Sequence, residues 1–317
     1  MQRMPWQPSA SLENLKLRSQ ILANIRNFFG LRDYLEVETP IMARYGITDA
    51  YLANIKATFR HATYYLQTSP EYHMKRLLAQ GSGPIFQIAR VFRDDEYGRW
   101  HNPEFTLLEW YQLGVDHLTL LQEVEALLQE ILKCPPLLTM TYSQAFEEIA
   151  GFNPFSATIP ALKNILKKYN LDTVLHEDEQ EIDQYLFLLM SHVIEPAFDE
   201  HHQPIALIDF PSSQASLAKI ENGVAQRFEV YFKGIELANG FYELSDAESQ
   251  RVRFENDNAL RRQKGLEPMT PDEYLLNALE HGLPTCSGVA LGLDRLIAIA
   301  LQAQGISEVI SFNFERA

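Results

Sequence analysis

Cysteine is nearly missing: Cys134 and Cys286 are the only two in 317 residues, far apart and in no metal-ligand spacing. That excludes a disulfide framework or a thiolate metal centre as the organising element, and it points to a reducing compartment. Long apolar runs are absent as well, and no window approaches the roughly 18 residues of a membrane-spanning helix. Met1–Ala10 is polar and carries Pro5 and Pro8, without the apolar stretch of a signal peptide. Cytoplasm is the expected address, and no membrane partner is expected. Positive charge is scarce too, with 27 Lys and Arg against 42 Asp and Glu, a net charge of −15. The densest basic stretches, Lys163–Lys168 and Arg251–Lys264, read as solvated helix faces. A nucleic-acid backbone is therefore disfavoured as a partner, and a small molecule or a protein is favoured.

What the chain does have is apolar material in regular patterns. With 46% hydrophobic residues it can bury a large core. Leu17, Ile21, Leu22, Ile25, Phe28 and Phe29 fall at helical spacing, and Gly30 closes that helix. Tyr34–Thr39 alternates as a strand that ends at Pro40. Ile85–Phe92 and Phe105–Leu113 read as antiparallel strands joined by the polar loop Arg93–Glu104. Leu121, Val124, Leu128 and Ile131 mark a helix halted by Pro135 and Pro136. From about 135 to 203 short helices, broken by Gly151, Pro154 and Pro160, suggest an insertion beside the main sheet. Strands resume at Ile205–Phe210 and across Arg227–Leu244, the latter turning at Lys233 and Gly234. Helices follow at Ala247–Lys264 and Pro271–His281, the second with an expected capping box of Thr270 and Glu273. Ser287–Gly292 is a last strand leading into a helix from about Asp294. Strands joined mainly as hairpins, with helices around them, imply a single α+β domain over 1–317, its largely antiparallel sheet flanked by helices.

Three segments carry chemistry together: LEVETP (Leu35–Pro40), FRDDEYGRWHNPEFTLLEWY (Phe92–Tyr111) and SGVALGLDRL (Ser287–Leu296). Their order and contents resemble the three motifs of class II aminoacyl-tRNA synthetases, in the lysyl, aspartyl and asparaginyl subclass. The resemblance implies activation of an amino acid with ATP: a carboxylate attacks the α-phosphate, and negative charge builds as pyrophosphate leaves. Arginines and Mg²⁺ suit that step, because positioning and charge stabilisation supply most of its catalysis. Arg93 and Arg295 are the implied catalytic pair. The implied ATP contacts are Arg93, Asp94, Asp95, Asn102, Phe105, Glu236, Leu237, Gly292 and Arg295. Phe105, Leu107, Glu109 and Tyr111 share one strand face by period two. With Phe105 under adenine, Glu109 and Tyr111 lie farther along, towards the amino acid. On the hairpin Arg227–Glu243, Glu229 and Glu236 are cross-strand or diagonal neighbours, and they match the metal-binding glutamates of the class II pattern.

Several carboxylates point to a ligand with two ammonium groups. Ser69, Pro70, Glu71, Glu109, Tyr111, Asn239, Phe241, Glu243 and Ala290 are the expected substrate contacts, at positions that resemble the lysyl branch. WQPSA, TSPEYHMKRLL, FKGIELANGFYEL and CSGVALGLDRL further resemble the elongation factor P β-lysyltransferase family, stand-alone paralogues of lysyl-tRNA synthetase. That family activates (R)-β-lysine with ATP and joins it to a lysine side chain of elongation factor P. The first-motif helix begins near Leu12, leaving no room before it for an anticodon-binding barrel, so tRNA is not an expected partner. FRDDE departs from the usual FRNEE, with Asp95 one methylene shorter than glutamate. Ala290 stands where lysyl-tRNA synthetases have glycine, which favours the β-lysyl branch. A truncated α-lysyl-tRNA synthetase and a regulatory paralogue that binds ATP or lysine are the alternatives. A homodimer is expected, with Phe28, Phe29 and Leu31 as interface candidates.

Overall fold

The computed structural model describes residues 4–94 and 96–317. The strands, in chain order, are β1 (Leu35–Glu36), β2 (Met42–Ala43), β3 (Lys56–Phe59), β4 (Ala62–Leu66), β5 (Ile85–Phe92), β6 (Glu104–Leu113), β7 (Leu138–Thr141), β8 (Ile205–Pro211), β9 (Ile220–Glu221), β10 (Val224–Phe232), β11 (Ile235–Tyr242) and β12 (Cys286–Gly292). Contacts divide the chain into two compact units. One holds residues 1–116, 130–132 and 243–317; the other holds 117–129 and 133–242. The segment 135–203 lies in the second, together with the β10–β11 hairpin.

In the first unit the strand order is β1-β5-β6-β12. β1 runs parallel to β5, whereas β5, β6 and β12 are antiparallel neighbours. A separate small sheet, β2-β4-β3, lies in the same unit. Alternation along β5 and β6 divides the side chains between two faces. On one, Phe86 and Trp110 meet Phe29 of the helix Leu12–Gly30, with ring centroids 4.5 and 5.3 Å away. On the other, Ala89, Val91 and Leu107 form a small apolar patch with Phe105 and Ala290. Farther along that face Ile85 and Tyr111 join Met74, Leu78, Phe254, Leu275 and Leu276 in a second core. The helices Glu71–Ala79, Ala247–Gln263 and Glu273–Gly282 thus close one end of it.

Three expectations need correction. Phe28 and Phe29 are buried at 1% and 0% exposure within this unit, so they build its own core and are not available to a second copy; Leu31 is exposed. The strand after the first helix shrinks to Leu35 and Glu36, which are in register with Ile85 and Phe86; the Val37 N–H makes one further bond to β5, to the Phe86 carbonyl. The cap of the helix at 273 is Asp272, whose carboxylate accepts from the N–H groups of Tyr274 and Leu275. A carboxylate at the N-cap satisfies two free donors and suits the helix dipole better than a hydroxyl two residues earlier.

The second unit orders its strands β11-β10-β8-β7, with β9 on β10. β7 and β8 are parallel and the other pairs antiparallel. Its core gathers Tyr142, Phe146, Leu162, Leu166, Tyr185, Leu189, Phe198, Leu207, Phe210 and Tyr231. The hairpin turns at Lys233 and Gly234, where φ is 53° and 66°. Two positive φ values are what a tight two-residue hairpin turn requires.

The helix Leu293–Ala300 is locked to the first unit by a buried ion pair. Arg18 Nη2 lies 2.6 Å from Asp294 Oδ1, and Asp294 Oδ2 accepts from the Thr106 N–H at 2.8 Å. Arg18 also donates to Thr106 Oγ1 and to the Val309 carbonyl. Removing one partner strands the other charge in the interior, which costs about 3–5 kcal/mol, whereas replacing both by apolar groups is often close to neutral. Asp294→Asn is therefore expected to lower unfolding stability in urea by about that amount. The double variant Arg18→Met, Asp294→Leu should recover most of the loss. Equal stability of Asp294→Asn and the parent would remove the pair's structural importance.

Candidate active site

The face of β6 that begins at Phe105 carries the first group of site residues. Arg93 leaves β5 with its guanidinium carbon 5.1 Å from the Phe105 ring centroid, so a cation covers the ring assigned to adenine. Its Nη1 donates to Glu96 Oε1 at 3.1 Å, while its Nε is buried with no hydrogen-bond partner among the described residues. Arg295 sits in the first turn of the helix after β12, where its Nε donates to the Trp100 carbonyl and its Nη2 is 2.7 Å from His101 Nε2. Both arginines thus reach the β5–β6 loop. Asp94 bridges to Ala53 through its backbone. Asp95 lies outside the described residues. Asn102 is buried and occupied by its own chain: its amide donates to the Glu104 carbonyl and accepts from the Phe314 N–H. Gly292 ends β12 directly before the helix of Arg295.

Farther along the same face lies a buried acid cluster. Glu109 is 2% exposed; Ser69 donates to its Oε2 at 2.7 Å and Tyr111 to its Oε1 at 2.8 Å. Ser69 Oγ also accepts from the Glu71 N–H, and Pro70 is the N-cap of the helix that Glu71 begins. Lys75, one turn on, is 1% exposed, with its ammonium 2.7 Å from Glu71 and 2.5 Å from Glu243. Gly288 makes room for this arrangement. A Cβ there would stand 2.3 Å from the Tyr111 ring and 2.6 Å from Glu243 Oε1. Ala290, the next residue on that face of β12, is directly opposite Glu109 in register.

The sequence alone did not single out Lys75, and it alters the electrostatics. Three carboxylates against one resident ammonium leave a charge of −2 when all are ionised. Burial, reinforced by the neighbouring Glu71, pushes the Glu109 carboxyl up to about 8. Burial likewise pushes Glu243 up to about 7, although Lys75 opposes it. Burial alone would lower the Lys75 ammonium, but Glu243 and Glu71 outweigh it and hold it above its ordinary value. The signal that could have found Lys75 was its spacing: Glu71 and Lys75 are i,i+4 on one helix.

In the second unit the hairpin residues form another group. Glu229 faces Asn239 across the ladder and Glu236 faces Tyr231, with a bulge between Val230 and Tyr231, so the two glutamates are diagonal neighbours. Two carboxylates need a cation, and Arg227 already supplies one. It forms an ion pair with Glu229, donates to Asn239 Oδ1 at 3.0 Å and to the Gln214 carbonyl at 2.7 Å, and lies 5.7 Å from the Phe241 ring centroid. Tyr231 donates to the other Glu229 oxygen. Burial raises the Glu229 carboxyl, Arg227 opposes this, and Glu236 raises it further. Leu237 is buried. Among the described residues no group of three or more His, Cys, Asp or Glu is placed to hold a metal. An oxygen-only pair still suits Mg²⁺, which binds through one or two carboxylates together with substrate phosphates.

Residues 4–316 match the family of tRNA synthetases class II (D, K and N). The chain belongs to that family. It is 49% identical, over 321 aligned positions, to the elongation factor P–(R)-β-lysine ligases of Pasteurella multocida (strain Pm70) and Histophilus somni (strain 2336). It is 48% identical to that of Haemophilus influenzae (strain Rd). Each alignment covers 98% of both chains. The matched region of this class II chain includes both arginines and the acid cluster.

The cluster makes binding of a diammonium ligand pH-dependent. The Glu109 carboxyl goes from an ordinary value of 4.5 to about 8, and Glu243 from 4.5 to about 7. The empty pocket therefore retains protons at neutral pH, and a dication must expel them. Amino-acid affinity should rise as pH increases from about 6 to 9, with proton release on binding near pH 7. The ligand-free fold responds in the opposite direction: the contribution of these carboxyls to stability is full below pH 4.5 and is lost as pH rises through about 8. Calorimetric titration in buffers of different ionisation enthalpy reads the proton count. A flat affinity with no proton release would contradict the assignment of the cluster.

Proposed function

We propose that this chain is an ATP-dependent ligase that activates (R)-β-lysine as its adenylate and joins it to a lysine side chain of elongation factor P. The acid cluster around Glu109 carries the reading. A pocket that reaches −2 when its three carboxyls ionise, beside an arginine-flanked aromatic ring, accepts a ligand with two ammonium groups and one carboxylate. The ligases named above act, by their names, on the same pair of substrates.

In this reading ATP lies with adenine on Phe105, flanked by Arg93 and Arg295 and contacted by Asp94, Asp95, Asn102, Glu236, Leu237 and Gly292. The substrate ammonium groups are held by Glu71, Glu109 and Glu243, with Ser69, Pro70, Tyr111, Asn239, Phe241 and Ala290 completing the contacts. Arg93 moves off Phe105 when adenine arrives and meets the carboxylate and the α-phosphate together. Its planar fork suits that double role, and Arg295 takes charge that develops on the phosphates. Glu229 and Glu236 would hold Mg²⁺, which supplies charge neutralisation of the phosphates when bound. In the second step the ε-amine of the acceptor lysine attacks the adenylate carbonyl, AMP leaves, and an amide forms. Among the described residues no helix is long and apolar enough to cross a membrane. We place the enzyme in the cytoplasm as a homodimer that does not use tRNA, with exposed Leu31 among the candidates at its interface.

Pyrophosphate exchange tests the first step. Arg93→Ala and Arg295→Ala should each slow exchange by a factor corresponding to about 3 kcal/mol, with the fold intact. Near-normal exchange in either variant removes that arginine from the chemistry. Incubation with labelled β-lysine should then place label on elongation factor P and not on tRNA; saturable labelling of tRNA would support a truncated lysyl-tRNA synthetase.

Ala290 bears on the choice between isomers. Its methyl stands next to Glu109 on the pocket face, and β-lysine carries its amino group one carbon farther from the carboxylate than α-lysine does. Ala290→Gly should shift kcat/KM towards α-lysine, by no more than the ~1–3 kcal/mol that shape alone supplies. An unchanged ratio would assign selectivity to other residues.

A further inference from the structure

The pocket face holds one more buried polar side chain, which no motif singles out. Gln87 lies on β5 directly across from Glu109, and Ala290 lies across from Glu109 on its other side. Gln87, Glu109 and Ala290 therefore form one cross-strand row between the patch around Phe105 and the core around Tyr111. Gln87 is 4% exposed, and its Oε1 is enclosed without a hydrogen-bond partner among the described residues. Buried amide oxygens are almost always paired in folded chains, so this one is expected to meet a donor from outside the chain.

We propose that Gln87 is a specificity-determining residue whose amide oxygen accepts a hydrogen bond from the substrate ammonium held at Glu109. This rests on the reading of the Glu109 face as the amino-acid pocket. An ammonium presents three donors, and each needs an acceptor once water is gone. The Glu109 oxygens are already shared with the hydroxyls of Ser69 and Tyr111. Lys75 engages Glu71 and Glu243. A further acceptor in the same row completes the ammonium's shell. A neutral acceptor is the suitable kind there, because a second carboxylate directly opposite Glu109 would repel it across the strands. Gln87 supplies an oxygen without adding charge.

Gln87→Met tests this, with Glu109→Gln as the control for the pocket itself. The expected result is an amino-acid KM raised about ten-fold or more, with the KM for ATP unchanged and the melting temperature not lowered. If Glu109→Gln raises the amino-acid KM and Gln87→Met does not, the pocket stands and the role of Gln87 falls. If neither variant changes it, the pocket reading falls and takes the role of Gln87 with it. A higher melting temperature with both KM values unchanged would mark Gln87 as an orphan of the core and overturn the proposal. Should Gln87→Met fail to fold, Gln87→Glu keeps the shape and adds the charge. It should move the rise of amino-acid affinity to higher pH, and an unmoved profile would overturn the proposal by a route independent of the methionine variant.

Discussion

The buried contact of Arg18 with Asp294 and Thr106 is the constraint on which the first unit depends. Asp294 immediately precedes Arg295, and Thr106 immediately follows Phe105. One carboxylate joins the backbone of β6 to the start of the last helix on the face away from the pocket. The two residues assigned to the nucleotide are thereby fixed through their neighbours. Arg18 comes from the first helix, so that helix and the second and third motif segments converge on a single ion pair. A site made of residues far apart in the chain needs such a tie, since displacing a catalytic group by about 1 Å can cost a hundred-fold in rate.

The strand carrying Phe105, Leu107, Glu109 and Tyr111 and the hairpin that makes Glu229 and Glu236 neighbours were legible in the sequence because period-two alternation is a local property. The long strands β5 and β6 and their antiparallel pairing were legible for the same reason. Lys75 and Gln87 were not. Each is a polar residue in an apolar pattern, and burial of a polar residue is set by tertiary packing that periodicity does not report. Arg227 was missed on similar grounds. The repulsion between Glu229 and Glu236 suggested a metal, whereas the nearest compensating charge is an arginine two residues away on the same strand.

The elements that were misread share a cause. β1 is shorter than the alternation of Tyr34–Thr39 suggests, because alternation does not report where pairing with β5 ends. Phe28 and Phe29 are interface candidates only by analogy with class II domains, and helical spacing does not say what covers them; here Phe86 and Trp110 cover Phe29, and Phe28 packs against Phe29 and Arg32. The small sheet β2-β4-β3 left no clear pattern, since most of its residues are exposed on both faces.

Selection of the substrate separates into a strong and a weak discrimination. At an effective dielectric near 20, two unit charges about 4 Å apart interact by about 4 kcal/mol, close to a thousand-fold in affinity. With its carboxyls ionised, as a bound dication would make them, the proposed pocket carries −2 and would favour a dication over an aspartate, whose side chain would add a third negative charge. The same scaffold can serve the aspartyl and asparaginyl members of the family only with a different set of charges at these positions. Resident Lys75 opposes the upward shift that burial imposes on Glu243, so it limits how far that carboxyl protonates. Between α- and β-lysine, however, the charges are identical and only the placement of one ammonium differs. That distinction is worth a few kcal/mol at most and must come from shape and hydrogen-bond direction. The burden falls on the row that crosses the pocket beside Glu109, where Ala290 sets the space on one side and the Gln87 amide stands on the other.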